Sequence, residues 1–169
     1  MRDPDAFAGT AQFGRDGYCV LEGFFSHSRI DRAVAAVRGL LEERAGEVVV
    51  DCLRSGRRTF WSQARDPGSR NFKFNDLYLL CGEVRELALD PALSMTLGDL
   101  LGEPAVLCNS LNFEKGSSQP KHIDSLYMTP RTPHSLIAAW VALKSDPQYA
   151  DTVSKITSRF LVPAAFSQI

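Results

Sequence analysis

Residues 105–113, AVLCNSLNF, and residues 135–143, SLIAAWVAL, are the stretches that decide the predicted fold. The first alternates in the manner of a strand. One of its faces carries Leu107, Asn109, Leu111 and Phe113, and the other carries Val106, Cys108, Ser110 and Asn112. The second stretch is small and apolar throughout, which is typical of a strand buried on both faces. Residues 122–128 favour another strand after a turn over residues 116–120, so we predict three consecutive strands.

An amphipathic helix is predicted well ahead of these strands. Ser28 and Asp31 have the spacing of a capping box, with Asp in place of the usual Glu. Apolar residues then recur at helical spacing and define an inward face, namely Ile30, Val34, Val37 and Leu41. Gly46 is the predicted end of this helix, because glycine commonly follows the last helical turn.

A second helix is marked by residues at both of its ends. Asp90 has the place of an N-cap, and Pro91 has the first helical position, where the missing N–H costs nothing. Gly102 ends the helix after a stripe of leucines, namely Leu93, Leu97, Leu100 and Leu101.

A short strand rich in β-forming residues is also predicted over residues 18–21. Helices ahead of a run of strands favour the α+β class, with the helices packed on a β-sandwich or jelly roll.

Residues 52–71 form a long stretch that lacks a periodic apolar pattern and contains five arginines: Arg54, Arg57, Arg58, Arg65 and Arg70. One interpretation is a solvated loop. The other is a lid that contacts an anionic substrate, because long irregular loops often serve in binding. We expect this segment to be poorly ordered or to lie over the mouth of the site.

Composition narrows the classes of protein that this chain can belong to. The net charge is −1, which provides no basic surface for nucleic acid or for an anionic membrane. The sequence has no run of about 18 apolar residues, and its polar, acidic start does not have the pattern of a signal peptide. The four cysteines are evenly spread and lack the paired spacing of a zinc site. We therefore expect reduced, mostly buried thiols in a cytoplasmic protein, with no nucleic-acid or membrane partner.

The residues with the clearest chemical meaning are His122 and Asp124. Residues two apart on a strand point to the same face, so this imidazole and this carboxylate are placed to bind one metal ion together. They match half of the 2-His-1-carboxylate triad that holds Fe(II) and leaves positions open for other ligands. The tripeptide by itself is also compatible with a polar pair at a strand edge, so its surroundings decide between the two.

Those surroundings resemble the core of the phytanoyl-CoA dioxygenase family. The resemblance lies in residues 112–116 (NFEKG), 119–127 (QPKHIDSLY) and 139–143 (AWVAL), with the Trp 16 residues after the Asp. Residues 13–21 (FGRDGYCVL) and 87–102 also resemble the family, in the same order along the chain. The family is one of oxygenases that depend on Fe(II) and 2-oxoglutarate.

The resemblance implies a fold, a set of cofactors and a set of site residues. The expected fold is a partial double-stranded β-helix, jelly-roll or cupin-like, with N-terminal helices packed on the sheet. A single domain would span residues 1–169, with a family-like core over 7–143 and a divergent tail over 144–169. Fe(II) and the cosubstrate 2-oxoglutarate would support hydroxylation of a small organic substrate. The implied site residues are His122 and Asp124 as metal ligands, with Asn112 and Trp140 lining the 2-oxoglutarate pocket.

Each of the two pocket residues also has a purely structural interpretation. Asn112 would equally satisfy a buried backbone group, and Trp140 would equally serve as a core aromatic. The sequence leaves these alternatives open.

The resemblance stops after Leu143. The family continues with a distal His ligand and an Arg for 2-oxoglutarate, whereas this chain has no histidine after His134. His134 is a poor substitute, because it lies only ten residues past Asp124 across a proline-containing turn. The alternative function is therefore a truncated, non-catalytic member of the family that binds metal weakly or serves as an interaction module. We expect the tail to pack as a helix through Val153, Ile156 and Phe160, and open strand edges to permit self-association.

Overall fold

The computed structural model describes residues 8–69, 71–113, 128, 130 and 135–143, together with the backbone of residues 155–157. These residues form two compact units of an α+β chain. The larger unit contains residues 25–93 and 106–113, and the smaller unit contains residues 8–24, 94–105 and the described residues from 128 onward. Whether they behave as one domain stays a prediction.

The smaller unit combines a helix with a three-stranded antiparallel sheet. Helix α1, Ala8–Asp16, ends where Gly17 adopts a positive φ of 76°, and strand β1, Tyr18–Val20, follows as predicted. Strand β1 pairs with β7, Lys155–Thr157, which in turn pairs with β6, Ala138–Ala139. The prediction of a helix in the tail is therefore wrong at residues 155–157. There, β1 and β6 both supply backbone partners, and this tertiary pairing overrides the helical spacing of the apolar residues.

Helix α2, His27–Glu42, has the predicted inward face but different ends. Its N-cap is Ser26, so the predicted capping box is wrong, and the Ser26 side chain makes no capping hydrogen bond. Val37 is buried on its inner face.

Arg44, and not Gly46, ends this helix by adopting the left-handed conformation at φ 50°. The N–H of Arg44 donates to the Leu41 carbonyl, and the N–H of Ala45 donates to the Leu40 carbonyl. These two bonds form a Schellman motif, in which glycine is the usual left-handed residue.

The larger unit has a four-stranded antiparallel sheet in the order β3-β2-β4-β5. Its strands are β2, Val49–Cys52; β3, Arg58–Phe60; β4, Phe72–Asn75; and β5, Leu111–Phe113. The open sheet and its helices confirm the α+β class, while closure into a jelly roll stays a prediction.

The two predicted strands that the structure describes are much shorter than expected. Of residues 105–113 only β5 is a strand, because its neighbour β4 ends where Asp76 turns the chain at φ 53°. The Asp76 N–H donates to the Ser110 carbonyl, and the Ser110 N–H donates to Asp76 Oδ1, so ladder pairing stops there. Of residues 135–143 only β6 is a strand. The predicted strand over residues 122–128 lies, apart from residue 128, outside the described residues.

The core of the larger unit lies between helix α2 and one face of this sheet, as the prediction of helices packed on a sheet requires. Its buried members are all apolar: Val37, Val48, Val50, Trp61, Ala64, Phe72, Phe74 and Leu77. Trp61 packs edge-on against Phe72 and against Phe74, with ring centroids 5.2 Å apart in each pair. The indole therefore holds both aromatic residues of β4 in place.

Two further helices lie between β4 and β5 along the chain. Helix α3, Gly82–Ala88, was not predicted, whereas α4, Pro91–Leu101, begins and ends as predicted. Asp90 Oδ1 accepts hydrogen bonds from the N–H groups of Ala92 and Leu93, at 2.9 and 3.1 Å, so Asp90 is the N-cap. Gly102 follows the helix with a positive φ of 77°.

Trp61 and Arg44 join the end of α2 to the turn that follows β3. Trp61, only 4% exposed, donates its indole N–H to the Leu41 carbonyl at 2.8 Å. The Arg44 guanidinium lies over the indole ring, 5.6 Å from its centroid, and donates to the carbonyls of Trp61, Ser62 and Ala64. Each side chain therefore donates hydrogen bonds to backbone carbonyls of the other element.

Replacing Trp61 with Phe should reduce the free energy of unfolding by about 2 kcal/mol, because it removes a buried donor and part of a packed ring. Urea unfolding followed by circular dichroism measures this change. The matched control is Trp140→Phe, which alters a Trp that is 49% exposed and should stay within about 0.5 kcal/mol of the wild type. Equal losses in the two variants would contradict the central role of Trp61.

Substitutions at Arg44 separate its backbone strain from its side-chain contacts. Arg44→Ala and Arg44→Gly both lose the guanidinium bonds, but only Gly adopts φ 50° without a steric penalty. The Gly variant should therefore be more stable than the Ala variant by about 1 kcal/mol, and both should be less stable than the wild type. An Ala variant as stable as the Gly variant would show that the left-handed conformation carries no strain.

Candidate functional site

The register of the four-stranded sheet assigns every strand residue to one of two faces. Directly opposed residues of antiparallel strands share a face, so Val50, Phe74 and Asn112 lie on the face that packs against α2. The opposite face is formed by two rows across the sheet. One row is Phe60, Val49, Asn75 and Leu111, and the other is Arg58, Asp51, Lys73 and Phe113.

Asn112, a predicted 2-oxoglutarate residue, therefore lies on the helix-packed face. It is half-buried in β5, directly opposite the fully buried Phe74 of β4. The predicted alternation of Leu111 and Phe113 on one face, with Asn112 on the other, is confirmed by this register. Leu111 is exposed on the face opposite to the helix.

The remaining predicted site residues are described only in part. The predicted metal ligands, His122 and Asp124, lie outside the described residues. Trp140 directly follows β6 in the smaller unit, and its side chain is 49% exposed. Within the part of the chain that the structure describes, no group of three or more His, Cys, Asp or Glu residues could hold a metal ion.

A row of charged side chains crosses three strands on the face opposite to α2. Arg58 donates to both carboxylate oxygens of Asp51, at 2.7 and 3.1 Å, and the Lys73 ammonium lies 3.0 Å from Asp51 Oδ2. The hydrogen bond from Arg58, with a smaller contribution from Lys73, lowers the pKa of Asp51 to about 2. Because the two cations outnumber the single carboxylate, this row keeps a net positive charge.

The β2–β3 hairpin places further polar groups next to that row. Its ends are joined by the Cys52 N–H, which donates to the Arg57 carbonyl at 2.9 Å, and by the Gly56 N–H, which donates to the Cys52 carbonyl. A hydrogen bond from the Ser55 hydroxyl, aided by the N–H groups and positive charge of the turn, lowers the pKa of the Cys52 thiol. This turn therefore favours negative charge.

The prediction that residues 52–71 form one irregular loop is wrong. They include strand β3 and two short 3₁₀ turns, Trp61–Gln63 and Pro67–Ser69, and they bury Trp61. The alternating sequence of β4, Phe-Lys-Phe-Asn, is a signal that would have identified a neighbouring strand and the position of Lys73. Arg54, Arg57, Arg58 and Arg65 are exposed as expected, while Arg70 lies outside the described residues.

A second charged cluster joins helix α2 to the helices that follow the sheet. Arg29 donates to Asp90 Oδ2 at 2.8 Å and to the Glu86 carbonyl at 2.9 Å, and its guanidinium lies 5.0 Å from the centre of the Phe25 ring. These contacts hold the N-cap of α4 against α2. Arg29 is thus engaged in structural contacts at the floor of a shallow groove that Leu89 and Pro91 also line.

Among the cysteines, Cys19 and Cys81 are buried, Cys52 is half-buried and Cys108 is exposed, and all four are free thiols. Within the described residues, no helix is both long enough and apolar enough to span a membrane.

Comparison with protein-family models, curated proteins and solved structures finds no match for this chain.

The pKa of Asp51 predicts a loss of stability in acid. Its folded value of about 2 lies below the ordinary 3.8, so Asp51 stabilises the fold above about pH 4 and ceases to do so as the pH falls toward 2. Because Arg58 is exposed, solvent screens its charge, and the stabilisation of the fold by ionised Asp51 is reduced to about 1 kcal/mol. The measurement is the free energy of unfolding from pH 7 to pH 2, for the wild type and for Asp51→Asn. The difference between the two should shrink as the pH falls, and a constant difference would contradict the assignment.

Proposed function

We propose that this chain is a dioxygenase-like protein that hydroxylates a small organic substrate with Fe(II) and 2-oxoglutarate, in the manner of the phytanoyl-CoA dioxygenase family. The observation that carries the proposal is the pair His122 and Asp124, preceded by the Asn112 motif and followed by Trp140 at the family's spacing. An α+β chain with helix α2 packed on an antiparallel sheet is compatible with that family. We also propose a cytoplasmic location and completion of the sheet into a jelly roll.

The number and type of metal ligands determine how tightly Fe(II) would be bound. Within the 169 residues, His122 and Asp124 supply an imidazole and a carboxylate, and no histidine follows His134. The set is therefore one ligand short of a facial triad. Bound iron would supply O2 activation coupled to decarboxylation of 2-oxoglutarate.

The described pocket residues support the proposal unequally. Asn112 shares a face with the core residues Val50 and Phe74, which favours a role in packing or in satisfying a backbone group. Trp140, in contrast, is 49% exposed. Of these two residues, we therefore propose Trp140 as the better candidate for contact with the cosubstrate.

A non-catalytic role is the second candidate, and the incomplete donor set favours it. In that case the chain would bind metal weakly or act as an interaction module, with self-association through open strand edges. The two candidates differ in whether 2-oxoglutarate is converted to succinate.

We predict that the 169-residue chain binds Fe(II) weakly and produces little or no succinate. Loss of a ligand should lower the affinity for Fe(II) by more than the roughly 10- to 100-fold typical of a change in the residues around the ligands. An anaerobic titration with Fe(II) and 2-oxoglutarate, followed by visible absorption, measures binding. A succinate assay with Fe(II) and ascorbate measures turnover.

His122→Ala and His27→Ala are the matched variants for both measurements, because each removes one imidazole and His27 lies in the first turn of α2. Weak binding that His122→Ala abolishes and His27→Ala preserves would support the dioxygenase-like assignment. Absence of binding in the wild type would favour the non-catalytic candidate. Strong turnover that depends on His122 would show that a third ligand is available after all.

A further inference from the structure

The end of the β2–β3 hairpin concentrates positive charge in a short, well-defined turn. Arg54 and Arg57 lie in this turn, and Arg58 and Lys73 lie in the strands beside it. Asp51 is the carboxylate that pairs with two of these four cations. A net charge of −1 for the whole chain means that this local excess is balanced elsewhere.

Among the described side chains, Arg54 and Arg57 have no ion-pair or hydrogen-bond partner, in contrast to Arg58. Both are exposed, and neither makes an ion pair or a side-chain hydrogen bond with any other described residue. They are three residues apart in a turn whose ends are tied by the bonds between Cys52 and Arg57 and between Gly56 and Cys52. The turn thus presents two planar guanidinium groups on a backbone that is already ordered.

The pKa values of two neighbouring groups indicate a positive electrostatic potential at the end of the β2–β3 hairpin. The pKa of Asp51 and the pKa of the Cys52 thiol are both lowered, so each group is stabilised in its anionic form. The end of the hairpin therefore has the guanidinium donors and the positive charge that binding of an oxyanion requires.

We propose that the β2–β3 turn binds the phosphoryl group of a small phosphorylated molecule through Arg54 and Arg57. Arginine is suited to this ligand because its guanidinium matches a phosphate oxygen pair with two parallel hydrogen bonds. A small ligand fits better than a polyanion, because Arg54 and Arg57 lie within one short turn of a chain without net positive charge. This site is independent of the iron chemistry proposed above.

Calorimetric titration of the full chain with inorganic pyrophosphate at low ionic strength tests the proposal. Saturable binding is expected, and the double variant Arg54→Ala/Arg57→Ala should weaken it by roughly 100-fold, about tenfold for each charge-assisted contact. The matched control is Arg38→Ala/Arg65→Ala, which removes the same charge from two exposed positions outside the turn and should bind like the wild type. If both double variants lose the same affinity for pyrophosphate, binding depends on the overall charge of the chain and not on the turn, and the proposal is overturned.

Alkylation of cysteines by iodoacetamide, followed by peptide mass spectrometry, tests the location of the bound pyrophosphate. Occupancy of the turn should slow the reaction of Cys52 and leave that of the exposed Cys108 unchanged. Saturable binding without protection of Cys52 would place the ligand elsewhere and overturn the assignment. Retention on vesicles of phosphatidylcholine and phosphatidic acid, without affinity for pyrophosphate, would point to a lipid headgroup and also overturn it.

Discussion

The hydrogen bond from the Trp61 indole to the Leu41 carbonyl is the contact on which the larger unit depends. It adds a second hydrogen bond to a carbonyl in the last turn of α2 and fixes the ring that both aromatic residues of β4, Phe72 and Phe74, pack against. Arg44 covers the other side of the indole and binds the turn in which Trp61 lies. One residue therefore aligns the helix end, the hairpin and the central strands at the same time.

This arrangement gives the sheet two faces with different properties. The face toward α2 is closed by apolar packing, whereas the opposite face carries the row of Arg58, Asp51 and Lys73 beside the exposed Phe60 and Leu111. Charged pairs on an exposed sheet face contribute little to stability but strongly set the local potential. Chemistry that involves anions therefore belongs to the open face and the hairpin end, and packing belongs to the closed face.

The sequence predicted best where local residues alone determine the structure. The start of α4 followed from Asp90 and Pro91, because capping and a fixed proline φ act within one turn. Strands β2, β3 and β4 were not predicted, because each is only three or four residues long and the alternation that buries Phe72 and Phe74 marks only one of them. The end of α2 was misplaced because Arg44 takes the position usual for glycine only through its contacts with the distant turn at Trp61. Of the predicted site, local alternation correctly placed Asn112 on the face opposite to Leu111 and Phe113, but its pairing with β4 determines that this face packs against α2. The ligand pair lies outside the described residues.

The bonds between Asp76 and Ser110 also bear on the order in which the chain assembles. They join residues that are 34 positions apart, whereas the β2–β3 hairpin closes over five. The longer closure costs about 2 kcal/mol more in chain entropy, so we expect β5 to pair after the two strands of the hairpin. The sheet edge that leads along the chain toward the proposed metal ligands is therefore expected to form last.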